Sequence, residues 1–269
     1  MTPGRTATQP IGRKRLRRAL RQCGQLLTPA SVSRALEMAP TDAAKLLARW
    51  VGQGWLVRIR RGLYAPVPLE ATSSEQVLSN PWVLVEQVFA PGYVGGWSAA
   101  EHWNLTEQIF RGICVLTARP VRQKQQILQG VTFIVRHIQP TAIFGTRTVW
   151  EGKTKVQVSD PHKTIIDILS DPSLGGGITH VEACIREYLG SSDADLKTLI
   201  AYGDRLKNGA VFKRLGFLLS RSPKPDRAAI DACSQRLSKG NAKLDPALPG
   251  GRLMTRWRLW VPRGWGGRS

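Results

Sequence analysis

The chain has 269 residues, 42% of them hydrophobic, and carries 39 Lys/Arg against 19 Asp/Glu for a formal net charge of +20. That composition excludes a disordered polar tail and fits one large packed domain or two ordinary ones, while a charge beyond the needs of solubility points to a polyanionic partner, DNA or RNA before an anionic membrane. There is no run of 18 apolar residues, the basic N-terminus lacks the apolar core of a secretory signal, and Cys23, Cys114, Cys184 and Cys233 form no C-x-x-C pair. The expectation is therefore a soluble cytoplasmic protein with reduced thiols, no membrane partner, no metal and no cofactor.

The charge is concentrated at the ends. Residues 1–65 hold 13 Lys/Arg against Glu37 and Asp42, and residues 252–269 hold five arginines and no acid. The periodicity predicts a helix over 13–22, with Leu16, Ala19 and Leu20 on one face and Arg15, Arg17, Arg18 and Arg21 mostly elsewhere. Thr28 as N-cap with Pro29 behind it starts a second short helix. A third follows in "PTDAAKLLARWVGQG", with Thr41 as cap, Asp42 at the positive end of the dipole, a buried stripe of Ala44, Leu47, Trp50 and Val51, and Gly54 as the stop. Next comes a strand, "WLVRIR", placing Trp55, Val57 and Ile59 on one face and Arg58 and Arg60 on the other. A tip at Arg60-Arg61-Gly62 returns it through "LYA".

Three helices and a two-stranded ribbon within about 55 residues are the order of a winged helix-turn-helix, whose third helix enters the major groove of DNA. Thr41, Lys45 and Arg49 drift only about 80° across the surface of that helix and are the candidate base-reading side chains. Arg58, Arg60 and Arg61 on the wing, with Arg17 and Arg18 on the first helix, complete the candidate DNA-binding set, Arg60 and Arg61 mainly holding phosphates or a minor groove. Trp50 and Trp55 lie on apolar phases and are read as core rather than as stacking platforms.

The Pro/Ser/Thr-rich stretch 66–80 reads as a connection, giving a DNA-binding domain over 1–68, a linker over 69–80 and a C-terminal domain over 81–269. Beyond it, Asn80-Pro81 starts a helix through Phe89, and 97–108 is a short helix and loop. Strand character follows at 112–118, 131–138, 146–152 and 153–160, the last two joined as a hairpin near Glu151-Gly152. Asp160 with Pro161 caps a further helix, and helices at 178–189, 193–207, 208–221 and 227–237 complete the chain. Strands before helices indicate an α+β protein: an N-terminal winged helix-turn-helix followed by a larger mixed α/β domain.

Catalytic chemistry is sparse. His102, His137, His162 and His180 are far apart, and no H-E-x-x-H or H-x-H occurs. Glu151-Gly152-Lys153 formally matches the E-x-K element of Mg²⁺-dependent nucleases, but no Pro-Asp pair precedes it closely and a hairpin turn explains it. Lys163 and Asp167, four apart on one helix, read as a surface ion pair. No catalytic residue is assigned. In the second part, Lys213, Arg214 and Arg221 are the candidate basic surface, while Phe212, Leu215, Phe217, Leu218 and Leu219 read as core.

With "VRIRRGLYAPVP", "GGWSAAEHWNLTEQ", "DPHKTIIDIL", "NGAVFKRLGFLLS" and "KLDPALPGGRLMTRWRLWVP" in this order, the chain resembles the AbiEi-type antitoxins and transcriptional repressors of type IV toxin–antitoxin, abortive-infection systems. The resemblance implies a repressor that binds inverted repeats of double-stranded DNA in its own promoter. It also implies a C-terminal antitoxin domain that counteracts a nucleotidyltransferase-like toxin in phage defence, commonly without a stable complex. The basic lead, 1–15, and the Gly/Arg tail, 262–269, depart from that pattern and supply additional phosphate-seeking charge. Two other readings of the residues stay open beside it: a winged-helix-targeted Mg²⁺-dependent nuclease, and a basic RNA-binding factor.

Overall fold

The computed structural model describes residues 11–67, 78 and 80–265. Most of the N-terminal lead, most of the 69–80 connection and the end of the Gly/Arg tail lie outside these residues. The chain is α+β and divides into two units. The first comprises the described residues up to Leu84 together with Ile127–Val131 and Trp150–Lys155; the second comprises Val85–Gln126, Thr132–Val149 and the described residues from Val156 onward.

The first unit is a winged helix. Helices α1 (Ile11–Cys23), α2 (Pro29–Leu36) and α3 (Pro40–Gly52) precede strands β1 (Leu56–Arg60) and β2 (Leu63–Pro66). Thr28 caps α2 as expected: its side chain accepts from Ser31 N while Ser31 Oγ accepts from Thr28 N, so two otherwise orphaned donors are satisfied reciprocally. The start of α3 differs from expectation. Pro40 is its first residue and Ala39 its N-cap, without a side-chain cap bond, so Thr41 lies inside the first turn. The buried stripe shifts accordingly to Ala43, Leu46, Leu47 and Trp50, with Ala44 and Val51 at its half-buried rim.

These side chains pack with Ala19, Leu27, Val32, Leu56 and Tyr64 into one core. Leu27 exchanges backbone hydrogen bonds with Tyr64, at 2.8 and 2.9 Å, and so adds a third strand-like edge to the wing. On β1, Arg58 and Arg60 are exposed and Val57 and Ile59 half-buried, but the deepest anchor is Leu56, at the root of the strand. Arg58 opposes Tyr64 and Arg60 opposes Leu63, leaving Ile59 as a bulge. Gly62 turns the tip with φ of 77°, a conformation that side chains with a Cβ disfavour.

In the second unit, α4 (Val83–Phe89), which begins at the boundary, leads to β3 (Gly92–Val94), α5 (Gly96–His102), β4 (Ile113–Thr117), β5 (Gln125–Leu128), β6 (Val131–His137), β7 (Thr146–Glu151) and β8 (Thr154–Ser159). The strands form a mixed sheet in the order β5-β6-β4-β3-β8-β7. Its centre is parallel for β4/β6 and β3/β8 and antiparallel for β3/β4. Helices α6 (Pro161–Ser170), α7 (Ile178–Gly190), α8 (Leu196–Leu206), α9 (Gly209–Ser220) and α10 (Arg227–Gln235) follow, with a three-stranded sheet of β9 (Ala242–Lys243), β10 (Arg252–Met254) and β11 (Leu259–Val261) closing the chain. A core of Ile165, Ile166, Leu169, Val181, Tyr188, Leu215, Phe217 and Trp257 holds this helical layer together.

Candidate nucleic-acid interface

Helix α3 owes its orientation to the stripe just described, because burying Leu47 and Trp50 leaves the opposite face in water. Thr41, Lys45 and Arg49 all lie on that exposed face. The Lys45 side chain is 80% exposed, and its 3.7 Å approach to Asp42 is a weak surface pair. Arg58, Arg60 and Arg61 are exposed along the wing.

Helix α1 adds a basic surface of its own. Lys14, Arg17, Arg18, Arg21 and Gln22 line a shallow groove of about 340 Å³, and the three- and four-residue spacing of the cations places them in one stripe. The two α1 candidates differ in commitment. Arg17 is exposed, whereas Arg18 donates to Glu37 Oε1 at 2.7 Å. Lys14 and Arg21 were not among the residues singled out from the sequence; their 14-17-18-21 periodicity was the signal that identifies them. Trp50 is core, while Trp55 is half-buried with the Arg13 guanidinium 5.6 Å from its ring centroid, so neither is an open stacking platform.

The basic residues of the second unit have other employment, and Lys213 and Arg214 are corrected as surface candidates. Both are buried. Lys213 donates to Ser238 Oγ at 2.8 Å and to the Gly240 carbonyl. The Arg214 guanidinium donates to the carbonyls of Leu169, Ser170, Lys243 and Leu244, which ties the C-terminal end of α6 to β9. Arg221, half-buried, donates to Glu182 and to the Trp265 carbonyl and stacks over the rings of Phe217 and Trp265.

Lys163 and Asp167 are also corrected, from a surface pair to a buried one, 0% and 3% exposed. Lys163 Nζ donates to Asp167 Oδ1 and, at 2.8 Å, to the Tyr93 hydroxyl; that hydroxyl donates to Asp167 Oδ2 at 2.9 Å. Burial raises Tyr93 well above its ordinary value and raises the Asp167 carboxyl against the pull of Lys163. The three side chains form one buried hydrogen-bonded network. Glu151-Gly152-Lys153 forms the tip of the β7–β8 hairpin, where Gly152 has φ of 60° and Lys153 Nζ donates to the Arg21 carbonyl at 2.6 Å. The lysine of the E-x-K match is thus spent on a helix end. Among the described residues no group of three or more His, Cys, Asp or Glu is arranged to hold a metal ion.

Residues 14–67 match the family model described as "Transcriptional regulator, AbiEi antitoxin". That segment is similar to the AbiEi-type regulators. The matched segment covers the basic stripe of α1, all of α2 and α3, and the wing. No curated protein matches the chain. The crystal structure of the RV2827C protein from Mycobacterium tuberculosis is similar in fold, with a TM-score of 0.61 at 17% identity, covering 94% of this chain and 92% of that one. No helix among the described residues is long and apolar enough to cross a membrane.

Proposed function

We propose that this protein is a DNA-binding repressor of its own operon and the antitoxin of a type IV toxin–antitoxin pair, with the division of labour expected from the sequence: DNA recognition by 1–68, antitoxicity by 81–269. The observation that carries the reading is the AbiEi family match, which falls on a winged helix whose α3 and wing present Thr41, Lys45, Arg49, Arg58, Arg60 and Arg61 to solvent. Winged helices place such a helix in the major groove, where an arginine or lysine pairs with guanine O6 and N7.

The partners in this reading are double-stranded DNA with inverted repeats upstream of the gene and a nucleotidyltransferase-like toxin encoded beside it, opposed without a stable complex. Its setting is the cytoplasm and its benefit is phage defence. The test uses a reporter under the protein's own upstream region. Full-length protein is expected to repress it and the Arg49→Ala protein to release it, while purified protein shifts that DNA in preference to an unrelated duplex of equal length. Equal affinity for both duplexes and for tRNA would identify a general polyanion binder instead.

A further inference from the structure

One aromatic side chain lies where folding alone does not place it. Trp150, near the end of β7, is 59% exposed, although an indole is among the most favourable side chains to bury. The Lys155 ammonium sits 5.1 Å from the centroid of its ring, a cation–π contact that holds the lysine upright beside the indole. The hairpin tip Trp150–Lys155 belongs to the N-terminal unit, not to the unit that holds most of its sheet.

Its attachment point is specific. Lys153 Nζ donates to the Arg21 carbonyl, one of the last in α1, at 2.6 Å, which satisfies an orphan acceptor and sets a cation against the negative end of the helix. A Cβ on Gly24 would stand 3.6 Å from Lys153 Cβ, and one on Gly152 would stand 3.8 Å from Gln25 Nε2. The tip is therefore docked on the turn after α1, next to the Arg21 end of the basic groove that continues through Arg17 to Lys14.

We propose that the β7–β8 tip is a further DNA-contacting element that extends the α1 stripe, with Lys155 on a backbone phosphate and the Trp150 indole against the adjoining deoxyribose. The inference rests on the DNA-binding reading above. Charge selects the partner class: Lys153 and Lys155 face one acid, Glu151, and α1 carries no acid at all. An indole beside a cation suits a sugar-phosphate chain, where the ring covers the sugar, its N–H donates to a phosphate oxygen and the ammonium neutralises the charge. Lys153, already bonded to Arg21, is a positioning residue.

The experiment measures binding of the full-length protein to a 30-base-pair duplex from its own upstream region as a function of salt. Lys155→Gln is expected to reduce the slope of log K against log salt by about 0.9, the loss of one phosphate contact, whereas Lys155→Arg keeps the wild-type slope. Trp150→Ala is expected to weaken binding about tenfold with the slope unchanged. Lys197→Gln, an exposed lysine of the second unit, is the control and leaves both quantities as in the wild type. Wild-type thermal midpoints for these surface variants establish that they fold. If wild type binds steeply and Arg49→Ala weakens it while Lys155→Gln and Trp150→Ala bind as wild type, the tip proposal alone is overturned. If wild type shows no salt-dependent binding to any duplex, the DNA-binding reading falls and takes this inference with it.

Discussion

A buried lysine is tolerated only if its ammonium is matched at short range, because removing an ion from water costs several kcal/mol even after relaxation. Lys163 meets that condition through Asp167 and Tyr93, with the rings of Tyr93 and Phe144 supplying further contacts at 5.2 and 4.9 Å. Asp167→Ala is therefore expected to cost about 3–5 kcal/mol in chemical denaturation, because it strands the ammonium, whereas the Lys163→Met/Asp167→Leu double variant recovers most of that loss. A double variant as unstable as the single one would mean that the pair itself, rather than its uncompensated charge, holds the fold. Cys114, Cys184 and Cys233 are buried and Cys23 is half-exposed, so a thiol reagent is expected to modify one residue per native chain and four after unfolding. Burial also pushes Cys184 and Cys233 up to about 12 from an ordinary value of 9.0. Between these values the unfolded chain binds fewer protons than the native one. Stability is then full below pH 9 and falls above it, by about 1.4 kcal/mol per pH unit for each such thiol. Urea midpoints measured from pH 8 to pH 11 check the decline, and Cys233→Ala is expected to remove its own share of it while the share of Cys184 remains.

Elements with a local signature were legible in the sequence. Thr28-Pro29 and Asp160-Pro161 fixed the starts of α2 and α6, because a capping side chain followed by a proline is decided within four residues. The short strands β3 and β5 and the closing sheet of β9, β10 and β11 were not legible, since two to four residues carry no period and become strands only through distant partners. The same limit hid the burial of Lys163: its spacing to Asp167 suits a surface helix, and only Tyr93, 70 residues earlier, shows otherwise. On the candidate interface, the exposure of α3 and the wing followed from composition and alternation, whereas the Trp150 tip required knowing which unit the hairpin joins. Arg214 acts at this scale by bridging α6 to β9 through five donated bonds, a fork that a lysine cannot reproduce. Arg214→Lys is expected to cost at least about 3 kcal/mol, read as a lowered denaturation midpoint. A different division applies to α3 and the wing. Lys45→Ala and Arg49→Ala are expected to lose discrimination between operator and unrelated DNA by about 1–3 kcal/mol each, whereas Arg60→Ala and Arg61→Ala weaken both alike. Competition binding with the two duplexes checks the assignment, and a change of operator preference confined to the wing variants would reverse it.

Across the molecule, charge and bulk are separated. Residues 1–65 carry 13 Lys/Arg against two acids, whereas Val85–Gln126, Thr132–Val149 and the residues from Val156 onward make up most of the chain and contain its larger core. A winged helix with its own apolar core has no need of so large a second unit for support, and a unit with its own core ordinarily carries a task of its own. In the second unit Lys213 and Arg214 are buried and Arg221 is engaged with Glu182 and Trp265, so a basic docking patch built on α9 is a poor account of that task. A partner contacted through another surface, or a toxin opposed without contact, fits these observations better. The prediction is that antitoxicity survives the loss of DNA binding. Full-length protein bearing Arg49→Ala, Arg60→Ala and Arg61→Ala, three exposed changes outside both cores, is expected to lose operator binding while keeping its thermal midpoint. Co-expressed from an unrelated promoter with the toxin that the proposed function places beside its gene, it is expected to restore growth, as the unaltered protein is expected to. If the variant accumulates as folded protein yet leaves the cells arrested, protection depends on the winged helix, and the two units share one task instead of dividing two.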